Sequence, residues 1–271
     1  MIRFDAYTAT TTAANHYQLA ALFDDSALEQ KMGRGHHQFG NRLSLSDDHG
    51  EVGSVSWGGE HDGAHGQRTM IEVKGERSPA VVQRLRSAFP HRVTRLDACA
   101  DFDAPGAFDG LLEPLLAVKR KHRITGRRDG DWEDFPERGR TQYVGSPKST
   151  TMVRQYEKGK QPEYRHLSRP DWVRLEVQVR PAKEAKTQFA HCSAADAWGA
   201  SVWTRELAAL VLEDHVDPHP AGTTWRKSDL ETRLSWLCRQ YGPTLFELFA
   251  EVGDWKCVGL TLGEHLAKGR P

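Results

Sequence analysis

Apolar positions recur at every second residue through most of the first 180 positions, and at every third or fourth beyond them. The first period belongs to strands with one buried face and the second to amphipathic helices. The segments RFDAYTAT, NRLSLSD, VGSVSWGG, QRTMIEVKG, HRVTRLDACADFD, TQYVGS, TMVRQYEKG and DWVRLEVQVRP read as strands. Asp47-Asp48-His49-Gly50 supplies a hairpin connection between the second and third of them. Helical spacing interrupts this run in HYQLAALFDDSALEQKM, through Leu19, Leu22, Phe23 and Leu28. It returns in SPAVVQRLRSAF, where Ser78 suits a cap and Pro79 a first turn, and again over 106–122. Residues 123–140 read as a charged loop. After Pro181, AADAWGASVWTRELAALVLEDH and SDLETRLSWLCRQYGPTLFELFAEV are helical, the second opened by a Ser228 cap. Strands with interspersed helices followed by a helical tail imply an α+β fold with a mostly antiparallel sheet flanked by helices. The pattern divides the chain into a sheet domain, 1–181, and a helical C-terminal region, 182–271.

Three of the strands carry ionisable groups along one whole face. Successive strand residues point to opposite faces, so i, i+2 and i+4 lie together. In TRLDACADFD, Arg95, Asp97, Cys99, Asp101 and Asp103 oppose Leu96, Ala98, Ala100 and Phe102. In WVRLEVQVR, Arg174, Glu176, Gln178 and Arg180 oppose Val173, Leu175, Val177 and Val179. VRQYEKGK places Tyr156 between Arg154 and Lys158. One such strand is what an antiparallel sheet with a wet face presents. Three together, two with carboxylates and one with a phenol, point to chemistry.

Composition narrows that chemistry. The 271 residues carry formal net charge +0, with mean hydropathy −0.64. The neutrality hides a bias: Lys119 to Arg169 holds fourteen basic residues against seven acids, an excess of seven. Such a surplus suits a polyanion, because Lys and Arg facing phosphates dominate nucleic-acid affinity. No apolar run approaches the roughly 20 residues of a membrane span, and the N-terminus lacks the pattern of a signal peptide. Cys99, Cys192, Cys238 and Cys257 are scattered, with no CxxC pair, as expected in a reducing cytoplasm.

Carboxylates completed by water suit a hard cation such as Mg²⁺ or Mn²⁺, and tyrosine is among the side chains that form covalent intermediates. A free phenol has a pKa of about 10, and neighbouring Arg154 and Lys158 would favour its anion. Metal, phenol and cations together fit phosphoryl transfer on a nucleic-acid backbone.

The ordered set SWGGE, IEVKGE, RLDACADFD, TQYVGSPKS, RQYEKGK and WVRLEVQVR resembles the Rep_trans-type replication initiation factors, rolling-circle initiators of small plasmids and filamentous phages. The resemblance covers roughly residues 50 to 181. It implies a palm-like sheet related distantly to the HUH endonucleases, nicking of one DNA strand at an origin, and a 5′-phosphotyrosyl intermediate later rejoined. It places the nucleophile at Tyr156, flanking basic residues at Arg154 and Lys158, and acidic metal positions at Asp97 and Glu176. Asp101 matches the motif as a further ligand or an orienting group. Arg95, Arg174 and Arg180 on the same faces, with Tyr143, Lys148 and Ser149, are candidate DNA contacts. Expected partners are single-stranded or hairpin origin DNA, a host helicase and a second copy of the chain, in the cytoplasm of a bacterial host. The His-hydrophobic-His metal motif of HUH enzymes is missing. His36-His37 are adjacent, and on a strand would point to opposite faces.

Competing readings stay open at the level of sequence. Tyr143 lies on a strand too, but Gly145-Ser146 after it looks like a backbone approach to phosphate, so Tyr156 is preferred. Glu72 could join the metal set, or simply face solvent. Trp57 and Trp132 are candidates for stacking on bases, whereas Trp198, Trp203 and Trp236 suit a core. A DNA-binding regulator without catalysis would bind regardless of metal or of Tyr156. A nuclease using water would cleave without a covalent adduct.

Overall fold

A computed structural model describes residues 1–63, 66–222 and 229–268. The strands are β1 (Arg3–Thr11), β2 (Glu29–Arg34), β3 (Asn41–Asp47), β4 (Gly50–Trp57), β5 (Asp62–Gly63), β6 (Gly66–Gln67), β7 (Thr69–Lys74), β8 (Arg92–Asp103), β9 (Gly126–Gly130), β10 (Arg140–Val144), β11 (Thr151–Glu157) and β12 (Trp172–Val179). Among the described residues, ten of these form one antiparallel sheet in the order β2-β3-β4-β7-β1-β8-β12-β11-β10-β9, and β5 pairs with β6. The helices are α1 (His16–Ala21), α2 (Ser78–Ala88), α3 (Ala107–Lys121), α4 (Ala185–Gln188), α5 (Val202–Val211), α6 (Asp229–Val252) and α7 (Trp255–Lys268). The α+β architecture expected from the hydrophobic pattern is the one observed.

One face of the sheet is apolar and one is polar, which is what the period-2 alternation requires. Val55, Ile71, Val73, Tyr7, Leu96, Ala98, Val153, Leu175, Val177 and Val179 join a single core with Leu19 of α1, Val81, Val82 and Leu85 of α2, and Leu115 and Val118 of α3. Ala185, Phe189, Trp198 and Leu207 belong to this same core. The chain divides into compact units at Met1–Thr224 and Trp225–Pro271. The expected boundary at 181/182 therefore falls inside the first unit. It marks where strands stop, while the chain goes on packing against the same sheet.

Several local expectations are corrected. The helix beginning at His16 stops at Leu22 instead of running to Met32. Asn15 and Gln18 form a reciprocal capping box at its start. Asp24 then takes a left-handed φ of 49°, and the Asp25 carboxylate accepts from the Ala27 N–H. Glu29–Arg34 becomes the edge strand β2, exposed at every position, so the Leu28 that looked helical is buried just before a strand. Ser78 does not cap α2; it is the first helical residue, and its hydroxyl donates to the Asp5 carbonyl. Residues 123–140 are not all loop, because Gly126–Gly130 pairs with β10 as the opposite edge of the sheet. The helix expected across 194–215 is broken at Ser201, whose extended backbone and reciprocal bonds with Thr204 start α5. Ser228 lies outside the described residues, as does the Trp236 side chain. His36 and His37 sit in a turn, not a strand, and His37 has φ 55°. In the second unit, α6 ends at Gly253, where φ is 74° and the N–H bonds back to Phe249, and Trp255 then stacks on Phe249. No helix among the described residues is long and apolar enough to cross a membrane.

Glycine is required at Gly53 by close packing. A Cβ there would fall on the Phe23 ring and within 2.5 Å of the Glu72 carbonyl oxygen, whereas one at Gly33 meets nothing within 4 Å. Gly53→Ala is expected to cost about 1–3 kcal/mol by overpacking, and Gly33→Ala to leave the thermal midpoint unchanged or slightly raised. Paired thermal melts of the two variants check this.

Candidate active site

Register alone assembles the polar face into three rows that cross the strands. Ser54, Glu72, Thr8 and Arg95 face one another on β4, β7, β1 and β8. Arg127, Tyr143, Arg154, Glu176 and Cys99 do so on β9, β10, β11, β12 and β8. Thr141, Tyr156, Arg174 and Asp101 form the third row. A cleft of about 300 Å³ opens on this face, lined among others by Asp5, Thr8, Glu72, Arg95, Asp97, Arg154, Tyr156, Lys158 and Tyr164.

The charges are held in pairs. Arg174 is fully buried, and its Nε and Nη2 each donate to Asp101 at 2.7 Å while Nη1 donates to Asp5 at 2.5 Å. Asp101 also accepts from Arg3 Nη2 at 3.2 Å and Trp172 Nε1 at 3.0 Å. Burial would raise the Asp101 carboxyl, but the Arg174 hydrogen bonds and charge outweigh it and hold the group below its usual range. Arg154 Nη2 donates to both oxygens of Glu176, at 3.0 and 2.8 Å. Arg95 grips Asp97 with Nε, at 2.9 Å, and with Nη2, and Gln178 Nε2 reaches Asp97 at 3.4 Å.

Tyr156 is 5% exposed, with Arg154 over its ring at 4.6 Å and its hydroxyl donating to Glu176 Oε2 at 3.4 Å. The cations were expected to favour the phenolate. Burial and the Glu176 charge raise the phenol well above its ordinary value, although Arg154 and Arg174 pull the other way. The resting hydroxyl therefore keeps its proton. Lys158 does not continue the strand, because β11 ends at Glu157 and Lys158 begins a 3-10 turn. Its ammonium still reaches the cleft, 4.2 Å from the Tyr164 ring centroid and 5.2 Å from that of Trp172. Burial, seconded by Arg174, pulls its pKa down to about 8.

The three expected metal ligands do not form one cluster. Among the described residues, no group of three or more His, Cys, Asp or Glu could hold a metal ion. Asp101 stands four residues from Asp97 along β8, and Arg174, Arg3 and Trp172 take up its oxygens. Asp97 and Glu176 are diagonal neighbours, since Asp97 pairs with Gln178 and Glu176 with Cys99. Glu176 is 2% exposed, and burial followed by the nearby Asp97 charge pushes it up to about 7, against the pull of Arg154. A pair of carboxylates that repel in this way fits a divalent cation of the Mg²⁺ type, which takes one or two carboxylates and completes its shell with water and substrate phosphate.

The remaining candidates scatter. Tyr143 lies on the cleft face, partly exposed, with the Arg127 guanidinium 4.0 Å from its ring centroid. The Gly145 N–H donates to the Thr125 carbonyl, so of the Gly145-Ser146 pair the glycine N–H is already engaged. The Ser149 hydroxyl is spent inside its turn on Ser146 and Thr151, whereas the Lys148 side chain is exposed. Arg180 donates to the Pro147 carbonyl. Glu72 lines the cleft and binds Ser54 Oγ at 3.1 Å and His36 Nε2 at 3.3 Å. Trp57 is stacked on His16, and Trp132 lies under Arg128 at 4.3 Å and packs edge-on against the buried Phe108, on the side away from the cleft. Trp198 is fully buried, and Trp203 packs on the core. Sequence reading missed Asp5 and Tyr164. Asp5 sits at an irregularity in β1, between Phe4 opposite Ala98 and Ala6 opposite Asp97, and bulges re-aim side chains in ways that strict alternation does not foresee.

The depressed Lys158 has a measurable signature. The unfolded chain holds this proton up to about pH 10.5 and the folded chain only to about 8, so the charge costs stability in full below pH 8 and nothing above 10.5. Lys158→Met is expected to melt higher than wild type at pH 7, with the gap closing between pH 8 and 10.5. Denaturation followed across that range tests it.

No curated protein matches the chain. A solved structure similar to it is the rolling-circle replication initiator protein from Geobacillus stearothermophilus, at 16% sequence identity and a TM-score of 0.48, over 86% of this chain and 91% of that one. The family model described as replication initiation factor matches residues 92–252, more than half of the chain and inclusive of β8 to β12. The chain belongs to the replication initiation factor family.

Proposed function

We propose that this protein initiates rolling-circle replication by nicking one DNA strand, with Tyr156 as nucleophile and Asp97 and Glu176 as the acidic pair for Mg²⁺ or Mn²⁺. The observation that carries the reading is a phenol set in a cleft beside cations and a repelling carboxylate pair, in a member of this family. As the Tyr156 Oη proton passes along its hydrogen bond to Glu176 Oε2, Oη attacks the scissile phosphorus, the new P–O(Tyr) bond forms as the P–O3′ bond breaks, and the leaving 3′ oxygen takes a proton from water. When bound, the metal would polarise the phosphodiester and stabilise the leaving oxygen. Glu176 Oε2 holds the phenol by its hydrogen bond, and Arg154 stacks on the ring. Among the described residues the buried Arg154 Nε has no partner, which leaves it as a donor for a phosphate oxygen. Lys158, which makes no ion pair among the described residues, offers a second cation at the cleft. Phosphate arriving here would offset the cost of burying that ammonium. The stored phosphotyrosyl bond would later be rejoined by the reverse step.

Incubation with Mn²⁺ and single-stranded oligonucleotides tiled across the protein's own replicon is expected to give a covalent protein–DNA band on denaturing gels. Tyr156→Phe should reduce that band to background. Cleavage without an adduct would instead favour a water-using nuclease, and binding without either would favour a regulator. The metal pair has an independent readout, because a ligand bound to the folded state raises the melting temperature. Mn²⁺ should raise the wild-type midpoint and fail to do so in Asp97→Asn or Glu176→Gln. Asp101→Asn should lower stability yet keep the Mn²⁺ response.

A further inference from the structure

We propose that the Arg127–Tyr143 stack is a base-binding platform for single-stranded DNA leading from the Tyr156 cleft to the open edge of the sheet. This deepens the nicking reading and rests on it. Glu176, Arg154, Tyr143 and Arg127 are cross-strand neighbours on β12, β11, β10 and β9. Adjacent strands lie roughly 5 Å apart, so the Tyr143 ring stands one strand beyond Arg154 and the Arg127 guanidinium one strand further, at the edge. The row thus begins under the proposed nucleophile and ends in solvent.

Arg127 differs from three other arginines of this face, and from Arg180, which donates to the Pro147 carbonyl. Arg95, Arg154 and Arg174 are each committed to a carboxylate. Among the described residues Arg127 has no carboxylate partner, and its guanidinium lies over Tyr143 at 4.0 Å from the ring centroid. Asp129, the nearest acid on the same strand face, turns its carboxylate to the Gly130 N–H. Every residue of β9 is exposed. Arg128 points to the opposite side and covers Trp132, so Arg127 is the one that faces the cleft side.

A guanidinium laid on a phenol ring makes a flat, cationic surface. Such a surface takes the face of an unpaired base by stacking and its phosphate by charge. Bases in a duplex already have both faces stacked, which decides for a single strand. Stacking of this kind tolerates any base, so the platform would hold the strand beside the nick without reading its sequence.

The test is fluorescence anisotropy without divalent metal, using the labelled replicon tile that wild type binds best, intact or with one abasic position moved along it. Tyr143→Ala and Arg127→Ala should weaken binding by roughly ten- to hundredfold. Tyr143→Phe should match wild type, and Arg127→Lys, which keeps the charge but not the plane, should resemble Arg127→Ala. One abasic position should penalise wild type and leave Tyr143→Ala unaffected. A flat abasic scan, a penalty identical in both proteins, or tighter wild-type binding to the duplex of the same tile would overturn the proposal. The adduct assay run beside it separates the two readings. An adduct with a flat scan removes only the platform, and a positioned scan without an adduct removes only the nicking reading. Loss of the adduct in Tyr143→Phe would make that ring the nucleophile and overturn the platform, and failure to bind any tile would remove both.

Discussion

Arg174 is a guanidinium with none of its surface in water, and the polar face is organised by the need to neutralise it. Its partners come from two other strands, Asp101 on β8 and Asp5 on β1. A buried charge of this kind is tolerated only with close, multiple partners, and removing one partner from such a set typically costs about 3–5 kcal/mol. The irregularity of β1 at Asp5 follows from the same need, since it delivers a carboxylate to a face that simple alternation would not supply. With Arg174 fixed, Tyr156 beside it on β11 and Glu176 two residues along β12 have defined positions. The ion pairs are therefore the skeleton of the cleft as well as its chemistry.

The same skeleton divides the acidic residues by role. Asp101 is saturated by arginine and tryptophan donors and acts as a structural anion. Asp97 and Glu176 are each paired with a single arginine, and burial leaves them repelling one another. Charge is thus balanced at Asp101 and left in tension at Asp97, in the middle of β8. The tension lies beside the phenol, where an incoming cation and a phosphate would find complementary groups.

Much of this was legible in the residues. Strict alternation in β8 and β12 put the right side chains on the right face, because both strands are central and covered on their apolar side by helices. The hairpin at Asp48-His49 was also plain. What alternation could not supply was long-range pairing. Whether Arg174 met Asp101 or Asp97 depended on register between strands about 70 residues apart in sequence. The helix read through 16–32 failed because Leu19, Leu22 and Phe23 set a helical spacing that Leu28 does not continue, the chain having already turned at Asp24. Edge strand β9 was hidden because Gly, Arg and Asp carry no apolar period when both faces are wet. Lys158 left the strand at the very residue where the pattern continued it, yet the turn carried it back to the same cleft.

The two margins of the ten-stranded sheet have a consequence for the protein's behaviour in concentrated solution. β2 reads EQKMGR and β9 reads GRRDG, and both are exposed along their whole length. An unpaired strand edge is a template on which another chain can add, and charged side chains are a common defence. Arginine and lysine on these outer strands make the approach of a second identical margin electrostatically unfavourable. A sheet this wide, left with flat apolar borders, would be prone to edge-to-edge aggregation. Charge along both borders discourages that pairing.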